Sequence, residues 1–316
     1  MLLVRNIRLP LSCPDPDAEA AAQALHILRV PAHKAARCGV AKLSVDARHG
    51  KPVLVYTMAI TLKDEGEESA YAGASPCVCF TQPARFSFSV GDTALKTRPV
   101  VVGLGPAGLF AALLLARSGF RPLVLERGYA GCPDMTELSR KLARLYGADL
   151  GVDQSSAGID RVLNANIQFG EGGAGTFSDG KLTTRVGDPL CAFVTDAFLQ
   201  HGAPADIAWR QKPHVGTDLL RGIIRSIRQE IIALGGEVRF NTALTGLKIE
   251  NGALAGVETT AGDFACEQLI LAVGHSARDT FAMLHRQGMP LECKPFSVGF
   301  RAEHLQTEID KSLYHA

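Results

Sequence analysis

Three glycines and one acid carry the first chemical signal. Within residues 98–128, RPVVVGLGPAGLFAALLLARSGFRPLVLERG, the turn Gly103-Leu104-Gly105-Pro106-Ala107-Gly108 satisfies G-x-G-x-x-G, and Glu126 follows Gly108 by eighteen residues. Each position answers a need of a bound pyrophosphate. The first glycine allows a tight exit from a strand, the second lets backbone N–H groups come close, and the third lets the following helix lie on the sheet. The helix N-terminus then offers unpaired N–H groups and partial positive charge to the phosphates. A carboxylate at Glu126 accepts from ribose hydroxyls and favours a free 2′-hydroxyl over a 2′-phosphate.

These residues need a scaffold that places them together. Val100 to Val102 reads as a short strand, 109–117 as a helix ended by Gly119, and 122–126 as a second strand. Residues 99–116 are uncharged for eighteen positions, the length of a membrane span. Three glycines and two prolines inside that run favour strand, turn and helix instead. Further on, apolar residues at 219, 220, 223, 224, 227, 231 and 234 approximate the helical period, which predicts a helix over 218–234 stopped by Gly235-Gly236. A strand is expected at 237–240. Asn251-Gly252 predicts a hairpin between 244–250 and 254–260, a small meander over the parallel sheet. Residues 269–273 return to that sheet, with Gly274 at the carboxyl end of the strand, where ligands gather in open α/β sheets.

Ahead of this unit lies a different pattern. A strand over 1–11, a helix near 18–28 opened by Asp15 to Asp17, and strands at 40–47 and 52–62 around His49-Gly50-Lys51 give a βαββ order. This suggests a small α+β ferredoxin-like domain over 1–66. Lys42, Asp46 and Arg48 form either a docking face or a solvated sheet face. Residues 67–97, at the end of the charge run from Lys63 and with Pro76 and Pro83, read as a linker. The dinucleotide fold is expected over 98–293, and 294–316 begin a further region. The fold class is therefore α/β: a Rossmann-like domain, parallel sheet plus β-meander, behind a ferredoxin-like one.

A second glycine-rich stretch, IQFGEGGAGTFSDGKLTTR at 167–185, matches the same spacing at Gly170, Gly172 and Gly175. The residues that follow make a poor helix start, so it reads as a glycine loop pressed against a flat bound group rather than a second phosphate site. This stretch, the first glycine turn, Lys212-Pro213-His214-Val215-Gly216-Thr217-Asp218, residues 271–280 (LAVGHSARDT), Asp46-Ala47-Arg48 and Lys294 to Gly299 together resemble a family of FAD-dependent dehydrogenases. That family carries a glutathione-reductase-type FAD domain and a small N-terminal ferredoxin-like domain.

The resemblance implies that FAD is the cofactor. Gly103, Gly105, Pro106, Ala107 and Gly108 would hold its pyrophosphate, Glu126 with Arg127 its adenosine ribose, and the backbone of Val238 its adenine. Gly172, Gly173 and Gly175 would line the flavin, with Ser178, Asp179 and Lys181 at the ring edge and Gly274 touching the cofactor. Lys181 would stabilise the charge that builds on the reduced ring, or pair with Asp179 to stiffen the loop. His214 and His275 are candidate proton relays, since histidine titrates near neutral pH, although lone histidines are more often structural. NAD(P)H is a candidate reductant without a dedicated second motif. The resemblance also implies that family members continue beyond residue 316.

Composition bounds the alternatives. Across 316 residues, 33 Lys plus Arg against 32 Asp plus Glu leave no electrostatic footprint for nucleic acid, so small-molecule partners are expected, with neither nucleic acid nor membrane. MLLVRNIRLPL lacks the apolar length and flanks of a signal peptide. Eight scattered cysteines read as reduced thiols of a cytoplasmic protein, and Cys77-Val78-Cys79 has no partner pair at metal-ligand spacing. An NAD-only dehydrogenase would share residues 98–128 but not require the 170–181 loop or the hairpin. A non-catalytic or RNA-modification accessory role would use the N-terminal module for docking.

Overall fold

Alternating apolar residues along the first ten positions need a second layer, and one short helix supplies it. The computed structural model describes residues 1–48, 51–73, 75–82, 86, 88–128, 169–170, 173–174, 188, 190–211, 213–295, 297–300 and 302–314. In it β1 (Leu2–Pro10) buries Leu2, Val4, Ile7 and Leu9, with a register break between Val4 and Ile7 where Asn6 takes φ 62°. That extra residue restores the inward phase for Ile7 and Leu9. α1 (Pro16–Leu28) opens where the Asp15 carboxylate accepts from the Ala18 N–H at 3.1 Å, and it buries Ala20, Ala24 and Leu28 one turn apart.

Behind them come β2 (Ala35–Asp46) and β3 (Val53–Leu62), joined by β4 (Val78–Phe80) in the order β2-β3-β1-β4 with every pair antiparallel. Tyr56, Met58, Ile60 and Leu62 of β3 complete this core. Two expectations need correction. β2 begins five residues earlier than its apolar run suggests, because β3 is long enough to pair with it down to Ala35↔Leu62. Part of the 67–97 stretch is also strand: Val78 is buried, and Leu2↔Phe80 through Val4↔Val78 close the β1 edge. The turn residues His49 and Gly50 lie outside the described residues.

A parallel sheet organises the second half. β5 (Val100–Val102), β6 (Leu123–Leu125), β9 (Glu237–Arg239) and β13 (Leu269–Leu271) lie in the order β13-β5-β6-β9. Between them run α2 (Pro106–Arg117), the short pair β7 (Phe169–Gly170) and β8 (Gly173–Ala174), α3 (Leu190–Gln200) and α4 (Thr217–Ala233). The meander β10 (Leu244–Glu250), β11 (Ala253–Thr259) and β12 (Gly262–Ala265) follows β9; α5 (Arg278–Arg286) and α6 (Gln306–Tyr314) come after β13. Among the described residues no helix is long and apolar enough to cross a membrane.

Alternation along the strands splits the core. Val101 and Val124 face α2, α3 and α4, whereas Val100, Val102, Leu123 and Leu125 face the meander and α5. α2 starts at Pro106, three residues before the expected start, because proline's fixed φ and missing N–H suit the first helical position. Gly119 ends it at φ 84° while the Phe120 N–H returns to the Leu115 carbonyl at 3.0 Å. The Asn251-Gly252 turn takes positive φ at both residues, 52° and 79°, as a two-residue hairpin requires.

A polar network ties the three helices at the far side of α2. Arg117 donates from Nε to Glu230 Oε1 at 2.7 Å and from Nη2 to Gln200 Oε1 at 2.8 Å. His201 meets Ser226 Oγ through Nδ1 and Glu230 Oε2 through Nε2, both at 2.7 Å. The Arg117 guanidinium above all, with His201, holds the Glu230 carboxyl below its ordinary value of 4.5. A carboxylate lowered by folding adds stability above that ordinary value and loses it as pH falls through the folded one. Arg117→Ala should therefore lower the melting temperature at neutral pH and flatten its decline in acid. A thermal-melt series with parallel acid limbs for the two proteins would contradict this. In the same core, Ile227 is fully buried and Ile232 is 44% exposed. Ile227→Ala should cost about 2–5 kcal/mol in urea unfolding and Ile232→Ala well under about 1 kcal/mol.

Candidate functional site

Four parallel strands stop along one edge of the sheet. Gly103, Glu126, Phe240 and Ala272 follow the carboxyl ends of β5, β6, β9 and β13, so residues up to 169 positions apart in sequence share one crevice edge. The Gly103 N–H donates to the Leu125 carbonyl and the Ala272 N–H to the Val102 carbonyl, each at 2.8 Å. Backbone therefore closes on backbone here, with almost no room for side chains.

The glycines show why. Gly103 has φ 96°, and a Cβ there would lie 2.4 Å from the Ala272 carbonyl oxygen. A Cβ on Gly108 would lie 1.8 Å from the Gly103 carbonyl oxygen and 3.3 Å from the Ala272 Cβ. Gly105 is the cap residue of α2, extended at φ −74°, and contributes no capping side chain. The N–H groups of Ala107 and Gly108, in the first turn beyond Pro106, are thus presented toward an external acceptor such as a phosphate.

Glu126 is woven into the same turn. Its side chain is buried to 9% exposure; Oε2 accepts from the Leu104 N–H and Oε1 from the Gly128 N–H, both at 2.7 Å. Its own N–H donates to the Arg239 carbonyl at 2.8 Å, and its carbonyl accepts from the Thr242 N–H at 2.9 Å. Each carboxylate oxygen has two acceptor positions, so one on each remains for a further donor. Sequence spacing foresaw the acid at the strand end but not its hold on Leu104.

β9 follows the same crossover. The Glu237 N–H donates to the Pro122 carbonyl and the Arg239 carbonyl accepts from the Glu126 N–H, which fixes both residues toward β6. Alternation turns the N–H and C=O of Val238 the other way, to the outer edge of the sheet among the described residues.

The Arg127 guanidinium forks onto Asp279 of α5, Nη1 to Oδ1 and Nη2 to Oδ2 at 3.0 Å each. The reason is strand alternation: Leu125 and Arg127 share the meander side of the sheet, and α5 packs on that side through Met283 and Leu284. Asp279 was legible only as a member of the 271–280 motif, because its partner lies 152 positions away. Gly274, at φ 74°, has open space around a Cβ and sits three residues past the end of β13. His275 is exposed beside it. His214 is exposed two residues before Gly216, the cap residue of α4, so the two histidines come from separate segments.

In the second glycine stretch, Gly170 pairs with Gly173 across a short hairpin, and β7 lies against α2. Gly172, Gly175, Ser178, Asp179 and Lys181 lie outside the described residues. The Asp46-Ala47-Arg48 motif forms an ion-pair cluster, Asp46 accepting from Arg48 Nε at 2.9 Å and Arg8 Nη2 at 3.1 Å. These bonds, Arg48's foremost, hold the Asp46 carboxyl well below the usual carboxylate range.

Together these elements define a mixed α/β protein whose parallel sheet ends in a glycine-lined crevice. No family model matches the sequence. An uncharacterised protein of Clostridium beijerinckii is 45% identical over 230 residues, 72% of this chain and 40% of that protein, so the chain spans about two fifths of this relative's length. Similar solved structures include L-amino acid deaminase from Proteus myxofaciens in complex with anthranilate, at 15% identity and TM-score 0.31, covering 65% of this chain and 51% of that one. L-proline dehydrogenase from P. horikoshii is 17% identical at TM-score 0.32, covering 60% and 56%. Glycine oxidase from Bacillus cereus is 16% identical at TM-score 0.32, covering 61% and 60%.

The packing makes a stability prediction that separates two glycines. Gly108→Ala should destabilise by about 1–3 kcal/mol through overpacking. Gly222→Ala, in α4 with open space around its Cβ, should stabilise by about 0.5–1 kcal/mol through helix propensity. Urea midpoints shifting the same way in both variants would contradict the close approach.

Proposed function

We propose that this chain is the FAD-binding part of an FAD-dependent oxidoreductase acting on a small-molecule substrate, preceded by a ferredoxin-like unit. The observation that carries this reading is the coupling of Glu126 to the glycine turn. A ribose-binding carboxylate and a phosphate-binding helix start are held in one rigid piece by the Leu104 N–H at 2.7 Å. The strand order β2-β3-β1-β4 supports the ferredoxin-like assignment, with a 3₁₀ segment, Glu65–Tyr71, between β3 and β4.

The residues present suit FAD. Gly103 and Gly108 let the turn, α2 and the end of β13 close on one another, Ala107 and Gly108 would offer N–H groups to the pyrophosphate, Glu126 would receive the ribose hydroxyls, and the outer edge of Val238 would meet the adenine. The meander β10–β12, inserted between β9 and β13, favours FAD over a plain NAD site. Bound FAD would supply two-electron chemistry, for which NAD(P)H is the proposed reductant. Gly172, Gly173 and Gly175 would line the flavin side. His275, next to Gly274, and His214 are proposed proton carriers, and Lys181, with Ser178 and Asp179, an electrostatic partner of the ring.

Purification followed by heat release and chromatography of the bound chromophore tests the reading. FAD should be recovered from the wild type, and Ala107→Asp, at an exposed position in the first turn of α2, should yield folded protein that retains little FAD. Wild-type protein that is colourless and ignores added FAD would overturn the assignment; binding of NAD alone would redirect it to an NAD-dependent enzyme.

A further inference from the structure

The N-terminal sheet has two faces and one cover. α1 and the 3₁₀ segment pack on the face that buries Tyr56, Met58, Ile60 and Leu62, so among the described residues the helical cover of this sheet lies on that face alone. Strand register fixes what the second face carries. Along β3 it presents Val55, Thr57, Ala59 and Thr61, half-buried between neighbouring strands, with Leu3 of β1 opposite Ala59. β2 sets Lys42 opposite Thr57 and Arg37 opposite Thr61, and β1 sets Arg8 opposite Val55. Arg8 Nη2 reaches across β3 to donate to Asp46 Oδ2 of β2 at 3.1 Å, so both side chains lie on this one face.

The charge here is one-sided. Arg8, Arg37, Lys42 and Arg48 are exposed, whereas the Asp46 side chain, the one acid that these four strands place on the face, is 9% exposed beneath Arg8 and Arg48. Arg37 and Lys42 form no ion pair among the described residues. Their charge faces solvent above a floor of small and β-branched side chains.

Dimensions and side-chain types decide what fits. From Thr61 to Val55 the strand rises about 20 Å, too far for one small anion to touch Arg37 and Arg8 together. Single-stranded nucleic acid binds sheet faces by stacking bases on aromatic side chains, and these strands place no aromatic residue on this face. Strand addition at the β2 edge is obstructed at Leu43, where residues 209–211 already pair. An extended acidic segment laid over the face meets all three conditions. It spans the separated cations, needs no stacking platform, and crosses small side chains that let its backbone come close.

We propose that the open face of the β2-β3-β1-β4 sheet is a docking surface for an acidic polypeptide segment of a partner protein, held by Arg8, Arg37, Lys42 and Arg48. The assignment is independent of any cofactor bound at the parallel sheet.

Fluorescence anisotropy of a labelled deca-glutamate peptide titrated with the full chain tests it. Wild type should bind the peptide at low salt and lose affinity as salt rises. Arg37→Glu/Lys42→Glu should bind about tenfold more weakly, because two attractions of the size of exposed ion pairs become two repulsions. Arg286→Glu/Lys311→Glu makes the same change in net charge at exposed positions of α5 and α6 and should stay within about twofold of wild type. Far-UV circular dichroism and melting curves establish that both double variants are folded; all four positions are exposed. Absence of wild-type binding, an equal loss in the two double variants, or tighter binding of a ten-nucleotide uridine RNA than of the peptide would overturn the assignment.

Discussion

A Cβ on Gly108 would meet the Gly103 carbonyl oxygen at 1.8 Å, and one on Gly103 would meet the Ala272 carbonyl oxygen at 2.4 Å. These two impossible atoms define the molecule's tightest constraint. Three pieces of main chain, the exit of β5, the first turn of α2 and the end of β13, occupy a space that no side chain can enter. The sheet order follows from it, because β13 must lie directly beside β5 for its carbonyl to reach the turn. The helix position follows as well: α2 sits close enough to the strands that Leu109, Ala112, Leu113 and Ala116 are buried along one face. Dispersion and apolar burial then secure what the glycines permit.

Glu126 extends this rigidity to the chemistry. A carboxylate waiting in water for a ribose would have to be ordered at the moment of binding, at an entropic cost. Here the Leu104 and Gly128 N–H groups fix both oxygens beforehand, and the strand bonds to Arg239 and Thr242 fix the backbone. The turn that would hold the phosphates and the acid that would hold the ribose therefore share one set of hydrogen bonds. Displacement of either would be felt by the other, so the nucleotide's two ends would be read by a single preorganised body.

Much of this was legible in residue order, for identifiable reasons. Local signals worked where local physics decides: glycine spacing, Asp15 as a helix start, Asn251-Gly252 as a hairpin turn, and the 3.6-residue period of α4. Errors came where a partner far along the chain decides. β2 runs back to Ala35 only because β3 offers an antiparallel partner that far. Val78–Phe80 is a strand only because β1 has an open edge. The pairing of Arg127 with Asp279 was likewise not legible, because it depends on which face of the sheet α5 covers. Helix α3 carried no strong local signal, and its burial of Phe198 against Phe110, rings 5.5 Å apart, is a tertiary outcome.

The same dependence on distant partners explains how the N-terminal sheet is finished. β2 is an edge strand, and an open edge invites pairing with other chains. The Leu43 N–H donates to the Trp209 carbonyl at 2.9 Å, and the Gln211 N–H donates to the Leu43 carbonyl at 3.0 Å, so the segment before α4 runs parallel to β2 and covers part of that edge. One consequence is protective. The other is positional: residues 209–211 are anchored a few positions before Gly216, from which α4 departs with Leu220, Ile223, Ile224, Ile227 and Ile231 packed under the parallel sheet. α4 leads in turn through Gly235-Gly236 into β9, the strand that carries the main chain of Val238 at the outer edge of the described sheet. The first sheet thereby takes part in placing the helix that delivers that strand.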